Sequence, residues 1–110
     1  MKAFVLGLAV FGAILAAAGQ VSFKWGATGR SGIAEFLNPG IGLGILLYGA
    51  GTLSWIRALA EVPLTVLYPF TALTYVLVNV LAATILGEPL TARGLTGTVL
   101  VLLGLLLLAA

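Results

Sequence analysis

Gln20 and Lys24 close the first apolar run of the chain, in the stretch AAAGQVSFKW. In a helix, residues four apart lie on one face, and Ala13, Ala16 and Ala17 share that face. An amide followed one turn later by an ammonium suits an anionic head, above all a phosphate. Lys24 has a second and blander reading, as a long side chain snorkelling to the membrane surface.

A second polar set lies in PLTVLYPFTALTYVLVNVLAATIL. At 100° per residue, Thr65, Tyr68, Thr71, Tyr75 and Asn79 fall within an arc of roughly 120°. Ala72, Ala82 and Ala83 lie on the same arc, so something polar has room to approach. Such a stripe serves either interhelical hydrogen bonding or the lining of a pathway, and polar groups inside a membrane tend to be functional. Pro69 interrupts this helix and frees the carbonyl of Thr65, which makes either a fixed kink or a hinge.

The other charges are few. Arg57 stands beside the interfacial Trp55 and four residues before Glu61, at salt-bridge spacing. It is the second candidate for an anion. Glu88 precedes Pro89 at the entry to the last apolar segment, where a carboxylate suits a helix N-terminus. Glu61 and Glu88 are therefore expected to be structural. No apolar segment carries a carboxylate near its middle. That argues against a proton-coupled exporter of organic cations, which needs an embedded acid.

These residues need elements to position them, and composition says which. The chain has 110 residues, 62% hydrophobic and 7% charged, with a net charge of +2. Eight charges cannot coat a soluble domain, so lipid is the solvent for most of the surface. Five scattered basic residues do not make a nucleic-acid surface. With no cysteine, histidine or aspartate, neither a metal centre nor His-based catalysis is expected. No cofactor is expected, and an enzyme is not the reading.

A helix needs about 20 residues to cross the hydrocarbon, and the chain supplies four such segments, at about 3–23, 41–60, 63–86 and 92–110. Pro63, Gly87 and Thr91 fit a first-turn proline, a C-terminal cap and an N-cap. The short link after Ala60 makes the second and third spans antiparallel neighbours. Within the longer connection from Lys24 to Gly40, residues Ser31, Ile33, Phe36 and Leu37 suggest a short interfacial helix. The expected fold is an all-α membrane protein, a single domain of four transmembrane helices. Lys2 and Ala16-Ala17-Ala18 resemble the ends of a secretory leader, but with three more spans behind it the segment is expected to be retained. Lys2 and Arg57 fall on one side, Lys24, Arg30 and Arg93 on the other, a weak bias that also suits dual insertion. In the last segment Gly94, Gly97 and Gly104 form a small-residue seam suited to helix association.

The patterns GQVSFKWGAT, ALAEVPLTVLYPFTALTYV and GEPLTARGLTGTVLVLLG together resemble the drug/metabolite transporter superfamily in its single-repeat, EamA-like, four-span form. One branch is the small multidrug-resistance proteins. Alignment on Gly19 and Lys24 puts Ala16 where those exporters carry their glutamate, a departure that argues against their mechanism. The sequence is more similar to the small subunits that flip aminoarabinose-phosphoundecaprenol in bacteria. It shares their AGQ…K element (Ala18, Gly19, Gln20, Lys24), their VP…YP element (Val62, Pro63, Tyr68, Pro69) and their EP…R element (Glu88, Pro89, Arg93). The resemblance implies translocation of a polyprenyl-phosphate-linked sugar across the inner membrane. Tyr68, Thr71, Tyr75 and Asn79 would suit the sugar, and Lys24, with Arg57 second, the phosphate; Gln20 is a further substrate-binding candidate on the face that ends at Lys24. It also implies a homodimer, or a heterodimer with a related small subunit, because four helices make half or less of a usual transporter. Two alternatives stay open: export of a small metabolite or organic cation without the usual glutamate, and a non-transporting accessory subunit.

Overall fold

A computed structural model describes residues 2–109. Five α-helices follow in order: α1 Ala3–Ala27, α2 Pro39–Leu59, α3 Leu64–Leu67, α4 Thr71–Ile85 and α5 Ala92–Ala109. One-turn 3-10 segments occupy Ile33–Phe36 and Tyr68–Phe70. Among the described residues every regular element is helical. Three segments are long and apolar enough to cross a membrane: α1, α2 and the composite Leu64–Ile85. The fourth, α5, has 18 residues, about 27 Å of helix against a hydrocarbon core of about 30 Å. The chain is an all-α, multi-pass membrane protein.

The helix ends follow from local chemistry. α1 runs a full turn beyond the expected 23, so Lys24 lies inside its last turn. Thr28 Oγ1 donates to the Lys24 carbonyl (2.6 Å) and Arg30 Nη1 to that of Gly26 (2.7 Å), filling acceptors left open at a helix C-terminus. α2 starts with Asn38 as N-cap, its Oδ1 accepting from Gly40 N and Ile41 N, and Pro39 as the first residue. In the connection, Glu35 Oε2 accepts from Ser31 N (2.8 Å) and Gly32 N (3.2 Å). Those two bonds lower the pKa of Glu35 from its ordinary value. Pro63 caps α3 from outside, not from its first turn. Gly87 turns the chain after α4 with φ +68°, and Thr91 Oγ1 accepts from Gly94 N (3.0 Å) at the head of α5.

Packing is uneven along the chain. α1 and α2 lie antiparallel in close backbone contact, because glycines face each other in three tiers. A Cβ on Gly12 would stand 3.2 Å from the Gly51 carbonyl oxygen. One on Gly19 would stand 2.9 Å from Tyr48 N, and one on Gly26 would stand 2.7 Å from Ile41 N. Ser22 Oγ crosses the same seam to the Gly40 carbonyl (2.6 Å). A small apolar core closes one end, where Val5, Ala9, Ala58 and Leu67 are buried beneath Leu8, Trp55, Leu59, Val62 and Phe70. Neither α4 nor the 68–70 segment contributes a buried residue. α5 packs on α4 and on 68–70, at the edge of the bundle.

Gly19→Ala places a methyl against backbone that has no rotamer to yield, and overpacking of this kind costs about 1–3 kcal/mol. Gly7→Ala meets nothing within 4 Å and should be neutral or gain up to about 1 kcal/mol of helix propensity. Thermal unfolding of the two variants in one detergent is expected to show a lowered midpoint for Gly19→Ala and an unchanged or raised one for Gly7→Ala.

Candidate functional site

The polar residues of the third span face two neighbours at once. α4 lies between α1 and α5, and an arc of roughly 120° is wide enough to touch both. Along its α1-facing edge run Thr71 and Thr74, then Val78 and Ala82. Along its α5-facing edge run Tyr75 and Asn79.

Several cavities result. The central one, about 530 Å³, is lined by Gly12, Ala13, Ala16 and Gln20 from α1, by Tyr48, Gly51, Thr52 and Trp55 from α2, and by Tyr68, Thr71 and Thr74. Its volume falls in the range of ligand sites. The small residues that admit close approach of α1 to α2 also hollow out this wall. Its polar groups are one amide, hydroxyls and an indole, and no charged side chain lines it. Tyr68 is 60% exposed, so the cavity is open on one side.

Gln20 also lines a second cavity of about 260 Å³, with Val21, Lys24, Val78, Ala82, Leu86 and Glu88. Lys24 and Glu88 thus meet at one space, the first from the end of α1 and the second from just beyond α4. On the far side of α4, Tyr75 and Asn79 border a third cavity with Pro89, Thr91 and Thr98. There Asn79 Nδ2 donates to Thr98 Oγ1 (3.0 Å), and Thr98 Oγ1 in turn donates to the Gly94 carbonyl (2.8 Å). Asn79 therefore ties α4 to α5, and the structure does not bring Tyr75 or Asn79 to the cavity of Gln20.

Arg57 is engaged elsewhere. Its Nη1 donates to Glu61 Oε1 at 2.7 Å, and its guanidinium lies 5.5 Å from the centre of the Phe4 ring. The Arg57 hydrogen bond lowers the pKa of Glu61 from its ordinary value. The structure places Arg57 apart from Lys24, at the end of the bundle where Lys2 begins α1. Pro69 sits where the α-helical pattern gives way to a 3-10 turn, and Thr71 Oγ1 donates to the Tyr68 carbonyl (2.8 Å) in that break. Thr65 and Pro69 border α5 near Gly104. Gly97 and Gly104 have nothing within 4 Å of an added Cβ, and Gly94 has only Thr91 Oγ1 at 3.1 Å.

Sequence reasoning passed over Thr74, Tyr48 and Thr52 as lining residues, and it read Glu88 as a helix-terminus charge only. Thr74 was legible: it stands three residues after Thr71, on the side of the arc that faces α1. Tyr48 and Thr52 share a face of α2 with Gly44 and Gly51, a signal available once the glycine seam is noticed.

Curated relatives match nearly the whole of this framework. A protein of Enterobacter sp. (strain 638), named "Probable 4-amino-4-deoxy-L-arabinose-phosphoundecaprenol flippase subunit ArnE", is 31% identical over 101 residues, 92% of each chain. The chain belongs to the ArnE family. A Pseudomonas fluorescens (strain Pf0-1) protein of the same name is 29% identical over 108 residues, covering 94% of this chain and 95% of its own. One from Serratia proteamaculans (strain 568) is 38% identical over 69 residues, 63% of this chain and 60% of its own. No protein-family model matches the sequence, and no solved structure matches it.

In this member of the ArnE family the Asn79–Thr98 bond is expected to be a modest structural tie. A double-mutant cycle with Asn79→Leu and Thr98→Val, read by unfolding in mixed micelles, should give a coupling of about 0.6 kcal/mol, the average for membrane hydrogen bonds. A coupling near zero would mean that the two side chains do not hold α4 and α5 together.

Proposed function

We propose that this chain is a subunit of a bacterial inner-membrane flippase that moves a polyprenyl-phosphate-linked amino sugar between leaflets. The observation that supports it best is the pair of cavities sharing Gln20. One is uncharged and hydroxyl-rich, of a size for a sugar. The other carries Lys24, of a charge for a phosphate. The names of the ArnE relatives specify such a lipid. The absence of any carboxylate from the central cavity sets this reading apart from cation export through an embedded acid.

The residues then divide by role. Gln20, Tyr68, Thr71 and Thr74 contact the sugar, using hydroxyl and amide groups that exchange hydrogen bonds with a polyol. Lys24 holds the phosphate. Pro69 and the 3-10 turn beside it let Tyr68 and Thr71 shift relative to α1, since a proline break leaves the helix without one of its bonds. Tyr75 and Asn79 act through α5, by fixing it on α4. Arg57 and Glu61 neutralise each other and serve the fold. The relatives are named as subunits, which suits a dimer with a second copy or a related small chain. The free side of α5 at Gly97 and Gly104 is the proposed contact.

Two measurements test the reading. In proteoliposomes holding this chain with its partner, lipid-linked amino sugar added to one leaflet should reach the other, and Lys24→Ala or Gln20→Leu should slow that transfer about tenfold or more. Wild-type rates in both variants would overturn the assignment of the cavities. An added Cβ at Gly97 meets nothing within 4 Å in the chain, so Gly97→Ala should leave unfolding of the single subunit unchanged while weakening association in a crosslinking titration. Undiminished dimer would move the contact off α5.

A further inference from the structure

Glu88 stands just beyond Gly87, whose positive φ turns the chain back at the end of α4. Its own N–H donates to the Ala82 carbonyl (3.1 Å), so the residue is folded over the last turn of α4. The N-terminus of α5 does not use its carboxylate, because Thr91 supplies the cap. Among the described residues, Arg57–Glu61 is the only ion pair, and neither the Glu88 carboxylate nor the Lys24 ammonium makes a side-chain hydrogen bond. Yet both line the same 260 Å³ cavity, with the amide of Gln20 between that space and the central one.

We infer that this cavity is a dipolar head-group site, in which Lys24 receives a phosphate and Glu88 a protonated amine of the same ligand. The inference rests on the flippase reading for the presence of the phosphate and goes beyond it by giving Glu88 a specificity role. A simple anion in this space meets an opposing carboxylate, and a simple cation meets an opposing ammonium. A head with both charges satisfies both walls, and charge-assisted hydrogen bonds are the strong ones. At 260 Å³ the space lies just below the usual range of ligand pockets. It takes the charged groups of a polar head, while the hydroxyl face of the sugar stays in the central cavity and an attached hydrocarbon outside. Gln20, which both donates and accepts, joins this site to the hydroxyl-rich cavity. Uncharged parts of the ligand then extend toward Thr71 and Tyr68.

The test compares two probes, a short-chain prenyl phosphate bearing an amino pentose and the same lipid with its amine acetylated. Binding is measured to the full chain in dodecyl maltoside micelles, which bring no phosphate or amine of their own, and translocation of both probes is followed in proteoliposomes. Wild type should bind the free amine about tenfold tighter than the acetylated form. Glu88→Gln should abolish that preference without weakening the acetylated lipid, Glu88→Asp should keep it, and Lys24→Gln should weaken both lipids. Absence of a preference in wild type, its persistence in Glu88→Gln, or an equal loss for both lipids in Glu88→Gln would overturn the inference. Preference in binding with no translocation would count against the flippase reading and leave the site standing. Translocation with no preference would do the reverse.

Discussion

The close approach of α1 to α2 is the constraint on which the rest depends. In lipid, apolar side chains gain little by meeting one another, so helices associate where backbones come near enough for dense van der Waals contact. Gly12, Gly19 and Gly26 repeat every seven residues on α1 and meet Gly51, Gly44 and Gly40 on α2. Ser22 adds a hydrogen bond across the seam. Seven residues are two helical turns to within about 20°, which keeps the three contacts on one side of α1. The neighbouring small residues, Ala13 and Ala16, then line the hollow beside Gln20. The same run of small side chains packs one face and leaves space on the next.

The second half of the chain is built on different terms. α4 buries no residue, and among the described residues its side-chain hydrogen bond to α5 is Asn79–Thr98. Its start is broken by a 3-10 turn at Pro69. The chain thus pairs a firm unit, α1 with α2, with an α4 that rests on α1 and carries α5 on its outer side, and two of the polar cavities lie between α1 and α4. Sites in membrane transporters commonly sit where two such units meet and where helices are interrupted.

Much of this was legible in the residues. Composition alone specified a helical membrane protein, because 7% charged residues leave no soluble alternative. The motifs around Gln20, Tyr68 and Glu88 carried the resemblance to the family that the relatives share. The caps at Gly87 and Thr91 follow from residue type. What a helical wheel could not supply was the identity of the neighbours. The five polar positions of the third span share an arc, but only the packing shows that Thr71 reaches the Gln20 cavity and that Asn79 is tied to α5. The glycine seam was hidden for a different reason. Gly97 and Gly104 lie in a segment of leucine, where small residues stand out. Gly12, Gly19 and Gly26 sit among alanines, where they do not. Glu88 looked like a helix-terminus charge because Pro89 follows it, and only the turn at Gly87 carries it back toward α1.

The overall dimensions, 43 × 35 × 19 Å, have a mechanical meaning. Packed helix axes lie about 8–10 Å apart, so the thinnest direction holds about two layers. Such a slab forms a groove rather than a tunnel. A solute that must keep its water would be exposed to hydrocarbon along the open side. An amphiphile faces no such penalty: its polar end can follow the groove while its tail trails through the acyl chains, and no gate wide enough for the tail is required.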